Sequence, residues 1–73
     1  SRFNVYPNPA SSIINIKSDM TGKADVRIYD MAGRCVKKIR VSDIGDATID
    51  ISDIETGVYI VNVNGKMTKL VVE

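Results

Sequence analysis

Polar and apolar residues alternate along most of this chain with a period of two. Ile14 and Ile16 interleave with Asn15 and Lys17. Ala24, Val26 and Ile28 interleave with Asp25, Arg27 and Tyr29, and Ala47, Ile49 and Ile51 with Thr48 and Asp50. Successive side chains of a β-strand point to opposite faces, so this spacing predicts half-buried strands. The pattern gives seven short strands, over residues 3–6, 12–17, 24–29, 34–41, 47–51, 58–63 and 67–72. The sixth is apolar on both faces except at Asn62, which places it in the middle of a sheet. The fourth slips: Val36 lies on one face and Ile39 and Val41 on the other, so a β-bulge near Lys37-Lys38 is expected. Segment 43–54 also admits a helical reading. Residues 47, 49 and 51 alternate strictly, however, and Gly45 opposes a helix, so the strand is retained.

Turn chemistry separates these strands at the spacing of a sandwich or barrel. Pro7 and Pro9 cannot donate ladder hydrogen bonds and end the first strand. Asp30-Met31-Ala32-Gly33 turns the chain, with Asp30 able to bond its own backbone and Gly33 able to take φ > 0. Ser42 to Asp46 is a loop around Gly45. Gly57 is expected to close the connection after residue 51 by the same positive φ. Asn64-Gly65 is the strongest hairpin signal, suited to a type I′ turn.

Composition agrees. Ile and Val together number nineteen against one Leu, Leu70. β-branched side chains suit pleated surfaces. Seventy-three residues make a single domain, and a chain of this size buries only about 60% of its unfolded surface. That leaves little room for a ligand cavity beside a core. The net charge of +1 argues for neither nucleic acid nor an acidic partner. No apolar run approaches bilayer length, and no signal peptide is present. Cys35 is the single cysteine, so no internal disulfide forms; it is expected as a small buried strand residue, with a thiol pairing to another chain as the other option. Arg34 to Ser42 is basic and Asp43 to Glu55 acidic, an arrangement expected to pair across strands. The acids lack the spacing of a calcium loop. With no histidine and no nucleophile set beside a base, catalysis and cofactors are not expected. Four scattered aromatics do not make a base-stacking platform.

The ordered set Tyr6-Pro7-Asn8-Pro9-Ala10, Ile14-Asn15-Ile16, Val26-Arg27-Ile28-Tyr29-Asp30-Met31-Ala32-Gly33-Arg34, Ile49-Asp50-Ile51, Gly57-Val58-Tyr59-Ile60-Val61-Asn62-Val63 and Lys69-Leu70-Val71-Val72 runs the length of the chain. It resembles the C-terminal sorting domains of the type IX (Por) secretion system of Bacteroidota. The resemblance implies an Ig-like antiparallel sandwich of about seven strands, with residues 1–73 forming one domain of a larger secreted protein. It also implies passage from the periplasm across the outer membrane to the cell surface. In many members a sortase then cuts before the domain and joins the cargo to anionic lipopolysaccharide. The implied partners are translocon and sortase components. The implied signal residues are Tyr6, Pro7, Asn8, Pro9, Gly33, Arg34, Gly57, Tyr59, Gly65, Lys69, Leu70, Val71, Val72 and Glu73. Family chains often end in a basic residue and carry an aliphatic one at the Cys35 position; this chain has Glu73 and Cys35 there.

Residue chemistry gives the same segments structural roles: a stiff proline lead-in, hairpin turns, and Tyr59 in the core with its hydroxyl reaching outward. The expected mechanism is β-augmentation on an exposed edge strand, with residues 69–73 as the candidate and dimerisation through that edge as a variant. Two rivals stand beside it: a carbohydrate-binding or adhesive module, which usually shows a Trp or Tyr row absent here, and a fibronectin-III-like spacer.

Overall fold

The computed structural model describes residues 3–73, which form seven strands in two antiparallel sheets. They are β1 (Phe3–Tyr6), β2 (Ile13–Ser18), β3 (Ala24–Asp30), β4 (Cys35–Val41), β5 (Asp46–Asp50), β6 (Gly57–Val63) and β7 (Lys66–Val72). One sheet has the order β1-β2-β5 and the other β4-β3-β6-β7. The all-β sandwich read from the alternation is thus the architecture, and segment 43–54 contains a strand.

The alternating apolar residues meet between the sheets. Ile14 and Ile16 of β2 and Ala47 and Ile49 of β5 face Ala24, Val26 and Ile28 of β3, Tyr59, Val61 and Val63 of β6, and Leu70 and Val72 of β7; all are buried. Ala10, Ile44 and Ile51, from the connections, complete this core, and no polar side chain is buried in it among the described residues. Each fully buried Val, Ile or Leu contributes about 1.5–3 kcal/mol, which explains how the chain holds together without a disulfide.

Three local expectations change. The bulge lies one residue earlier than Lys37-Lys38: Ile28 pairs with Lys37 and Tyr29 with Cys35, so Val36 is the extra residue. With that extra residue between them, Cys35 lies on the opposite face from Ile39 and Val41. It shares the outer face with its partner Tyr29 and is exposed, contrary to the buried position expected of it. The charged segments also pair differently, because β4 and β5 belong to different sheets. Only Lys37 reaches from one segment to the other, with Nζ 2.9 Å from Asp53 Oδ1. Arg40 binds Asp25 of β3 at 3.1 Å, and Lys17 of β2 binds Asp46 at 3.0 Å.

Candidate recognition surface

Strand register decides which motifs share a location. Asp30 pairs with Tyr59, and Gly57 with Val72, so the β3–β4 turn, the start of β6 and the end of β7 lie at one end of the sandwich. Tyr6 pairs with Asn15 near the start of β2, which brings the segment after Tyr6 to the same end. Tyr6 to Ala10, Gly33-Arg34, Gly57 to Tyr59 and Leu70 to Glu73, far apart in sequence, therefore converge. Gly65 does not join them. It sits in the β6–β7 hairpin at the opposite end, where Asn64 (φ 52°) and Gly65 (φ 83°) adopt the expected left-handed pair.

The Tyr6–Ala10 segment lies along the outer edge of β7. Both of its X-Pro peptide bonds, Tyr6-Pro7 and Asn8-Pro9, are cis. The prolines offer no N–H, so pairing falls to Asn8 and Ala10. The Asn8 side-chain amide donates to the Lys69 carbonyl at 3.0 Å, and its Oδ1 accepts the Val71 N–H at 3.0 Å. Ala10 N–H donates to the Val71 carbonyl at 2.8 Å, and the Ala10 carbonyl accepts the Glu73 N–H at 2.7 Å, as a parallel bridge. One side chain and one residue thus complete the ladder over the last five residues. The edge expected to be open for β-augmentation is already occupied there, and Leu70 and Val72 turn their side chains into the core. What an outside partner meets on this segment is Lys69, Val71 and Glu73.

Arg34 and Tyr59 meet across a cleft of about 290 Å³ that is also lined by Asp30, Val36, Asp53, Ile54 and Glu55. Asp30 builds its near wall. Its Oδ1 accepts the N–H groups of Ala32 and Arg34, each at 2.9 Å, and Oδ2 receives Arg34 Nε at 3.0 Å. Gly33, at φ 88°, closes the three-residue loop, donating to the Asp30 carbonyl at 3.0 Å. The Arg34 amide, chiefly, holds the Asp30 carboxyl below the usual aspartate range. Tyr59 builds the far wall. Its ring is buried, and its hydroxyl donates to the Glu55 carbonyl at 2.6 Å, fixing the β5–β6 connection in the manner of a tyrosine corner. Gly57 has no positive φ, contrary to expectation. A β-carbon placed on it would meet the Tyr59 ring at 3.5 Å, an ordinary packing contact, so the ring lies against Gly57 without requiring glycine there. Sequence reasoning passed over Asp53 and Ser52, although Asp50-Ser52-Asp53 carried the signal of an Asx-type turn. The Ser52 hydroxyl donates to Asp50 at 2.7 Å and, with the Ser52 amide, lowers its carboxyl pKa.

The cleft is open, and its lining mixes charged with apolar groups. It can accept a cationic or extended peptide group, with the Asp30 carboxyl, its pKa lowered, on the near wall. Among the described residues, no three of His, Cys, Asp and Glu come together to hold a metal ion, and no helix is long and apolar enough to cross a membrane.

Comparison with known proteins follows this geometry. The family model described as the secretion system C-terminal sorting domain matches residues 4–73. β-Agarase A of Zobellia galactanivorans is 34% identical over 71 residues, covering 94% of this chain and 13% of the agarase. β-Agarase D of the same organism is 29% identical over 62 residues, covering 85% of this chain and 12% of its own length. The chain thus corresponds to about an eighth of these relatives.

Proposed function

The chain belongs to the C-terminal sorting domains of the type IX (Por) secretion system and acts as a sorting signal for export across the outer membrane, and we propose that its signal is a folded surface at one end of the sandwich. The observation that supports this reading is the convergence of Tyr6 to Pro9, Gly33-Arg34, Gly57 to Tyr59 and residues 69–73 on that end. Translocon components read this surface, with Arg34, Lys69, Val71 and Glu73 as the accessible side chains. Gly33, Gly57, Tyr59, Leu70 and Val72 hold it in shape, and Gly65 serves the far hairpin.

Residues 1–73 are one domain of a larger secreted protein. Phe3 pairs with Ser18, so the start of β1 lies at the end opposite Glu73. A preceding cargo domain joins there and leaves the motif end clear. The cargo is an enzyme, in keeping with the β-agarases among the relatives. A sortase cuts on the N-terminal side of the domain and transfers the cargo to anionic lipopolysaccharide. The domain itself does no bond chemistry. A carbohydrate-binding role gains no support from the surface: of the four aromatics only Tyr6 is exposed, so there is no stacking row.

Removing residues 69–73 from a cargo fusion is expected to trap it in the periplasm. That deletion also strips Leu70 and Val72 from the core. Arg34→Ala and Lys69→Ala, which touch exposed side chains only, should lower export while the purified domain keeps its thermal midpoint. Wild-type export by both point variants and the truncation would overturn the motif-end reading.

A further inference from the structure

The outer face of the four-stranded sheet is unlike the rest of the surface. Register sets its rows: Cys35, Tyr29, Ile60 and Lys69 lie side by side, flanked by Val58 and Val71 on one side and by Lys38, Arg27, Asn62 and Met67 on the other. Val58 and Met67 are exposed, while Tyr29, Ile60 and Val71 are half-buried, which makes a shallow apolar stripe. Beside it, Arg27 and Lys38 stand directly opposite each other. Like charges in that relation destabilise a sheet. Asp25 is shared between Arg40 at 3.1 Å and Arg27 at 3.9 Å, and Glu73 lies at the motif-end corner beyond Val71. Lys38 and Lys69 form no ion pair among the described residues. The other sheet's outer face is internally satisfied: Lys17 binds Asp46 at 3.0 Å, and Thr48 donates to Asn15 at 2.9 Å.

We propose that this face is a second docking surface, for a protein partner that presents carboxylates around an apolar centre. The proposal rests on the sorting reading and adds to it a surface that adjoins the motif end along Lys69 and Val71 and is centred away from it, on Arg27, Lys38, Asn62 and Met67. Charge complementarity selects the partner: an acidic surface relieves the Arg27–Lys38 repulsion and supplies the counter-charges that Lys38 and Lys69 lack. Two copies stacked on this face would set the same cations against one another. A lipid bilayer fits poorly, because the stripe lies level with its cations, and inserting it would bury them unpaired. Four strands about 4.8 Å apart and about 3.3 Å per residue give a face of roughly 20 by 23 Å. That is the scale of transient interfaces, suited to a signal that is bound and released.

The test uses the chain fused to a fluorescent reporter in a type IX-competent strain, with a photoreactive phenylalanine at Met67 or, as the control face, at Thr48. Irradiation during export should link Met67, not Thr48, to a protein whose linked segment is net acidic. K38E should lower both adduct yield and export several-fold, as loss of a rim charge slows association, and K38R should restore them. K38E sets an acid opposite Arg27, so the variant should keep its thermal midpoint, separating loss of docking from unfolding. A lipid adduct, a second copy as the adduct, equal labelling from both faces, or export unchanged by K38E overturns this proposal alone. Failure of the unmodified fusion to leave the cell overturns the sorting reading and this proposal with it.

Discussion

Asp30 organises a whole turn with one carboxylate, and its chemistry sets a pH dependence. Its pKa is lowered first by the Arg34 amide and then by the Arg34 side chain and the Ala32 amide. A carboxyl whose folded pKa lies below its unfolded value adds stability in full above the unfolded value, and that stability is lost as pH falls through the folded one. Asp50, lowered chiefly by the Ser52 hydroxyl, adds in the same sense. Carboxyl NMR titration should therefore find both midpoints below those of the unfolded chain, with stability falling as the solution is acidified through that window. Midpoints at or above the unfolded values would refute this. Lys17 behaves oppositely. Its pKa is raised, first by the hydrogen bond to Asp46, so its contribution is lost as pH rises through the elevated value. Tyr59→Phe removes the bond to the Glu55 carbonyl and leaves that acceptor without its partner; a loss of about 1 kcal/mol in urea unfolding is expected. Such residues differ in how far sequence reveals them. Asp30 and Asn64-Gly65 act on their own backbone, so their roles were legible. The exposure of Cys35 depends on where a bulge falls between β3 and β4, and the absence of a positive φ at Gly57 on how β6 begins, which no local pattern encodes.

At the scale of elements, the strands were legible because the hydrophobic period follows the pleat, and no limit moved by more than one residue. Pairing between distant segments was not, which is why Asn8 read as part of a proline lead-in and not as the partner of β7. An exposed strand edge invites unwanted pairing, and each edge here is guarded differently. β1 is short and ends at Pro7, β5 is short and acidic, and β4 carries the Val36 bulge with Lys38 and Arg40. β7 is covered by Asn8 and Ala10. Asn8→Ala should therefore speed amide hydrogen exchange at Val71, which donates to Asn8, while Leu70 and Val72, facing β6, keep their protection. Unchanged exchange at Val71 would show that the strap does not hold the edge. At the far hairpin, Gly65→Ala places a β-carbon at φ 83°, and a cost of about 1–2 kcal/mol is expected in denaturant unfolding.

The whole molecule has two unlike ends and two unlike faces. β1 begins at the hairpin end, where Asn64-Gly65 serves the fold alone, and the four converging motifs occupy the other. In the proposed reading that polarity keeps a cargo and a reader apart, and it needs the folded sandwich, since only register brings Asn8, Arg34, Tyr59 and Lys69 together. The most direct measurement of the central claim, that this folded chain is itself the export address, is to place residues 1–73 at the C-terminus of a periplasmic reporter. Its surface or extracellular fraction is then compared between a type IX-competent strain and its translocon-deficient counterpart. The account predicts export in the first and periplasmic retention in the second. Retention in both, or release in both, would contradict it.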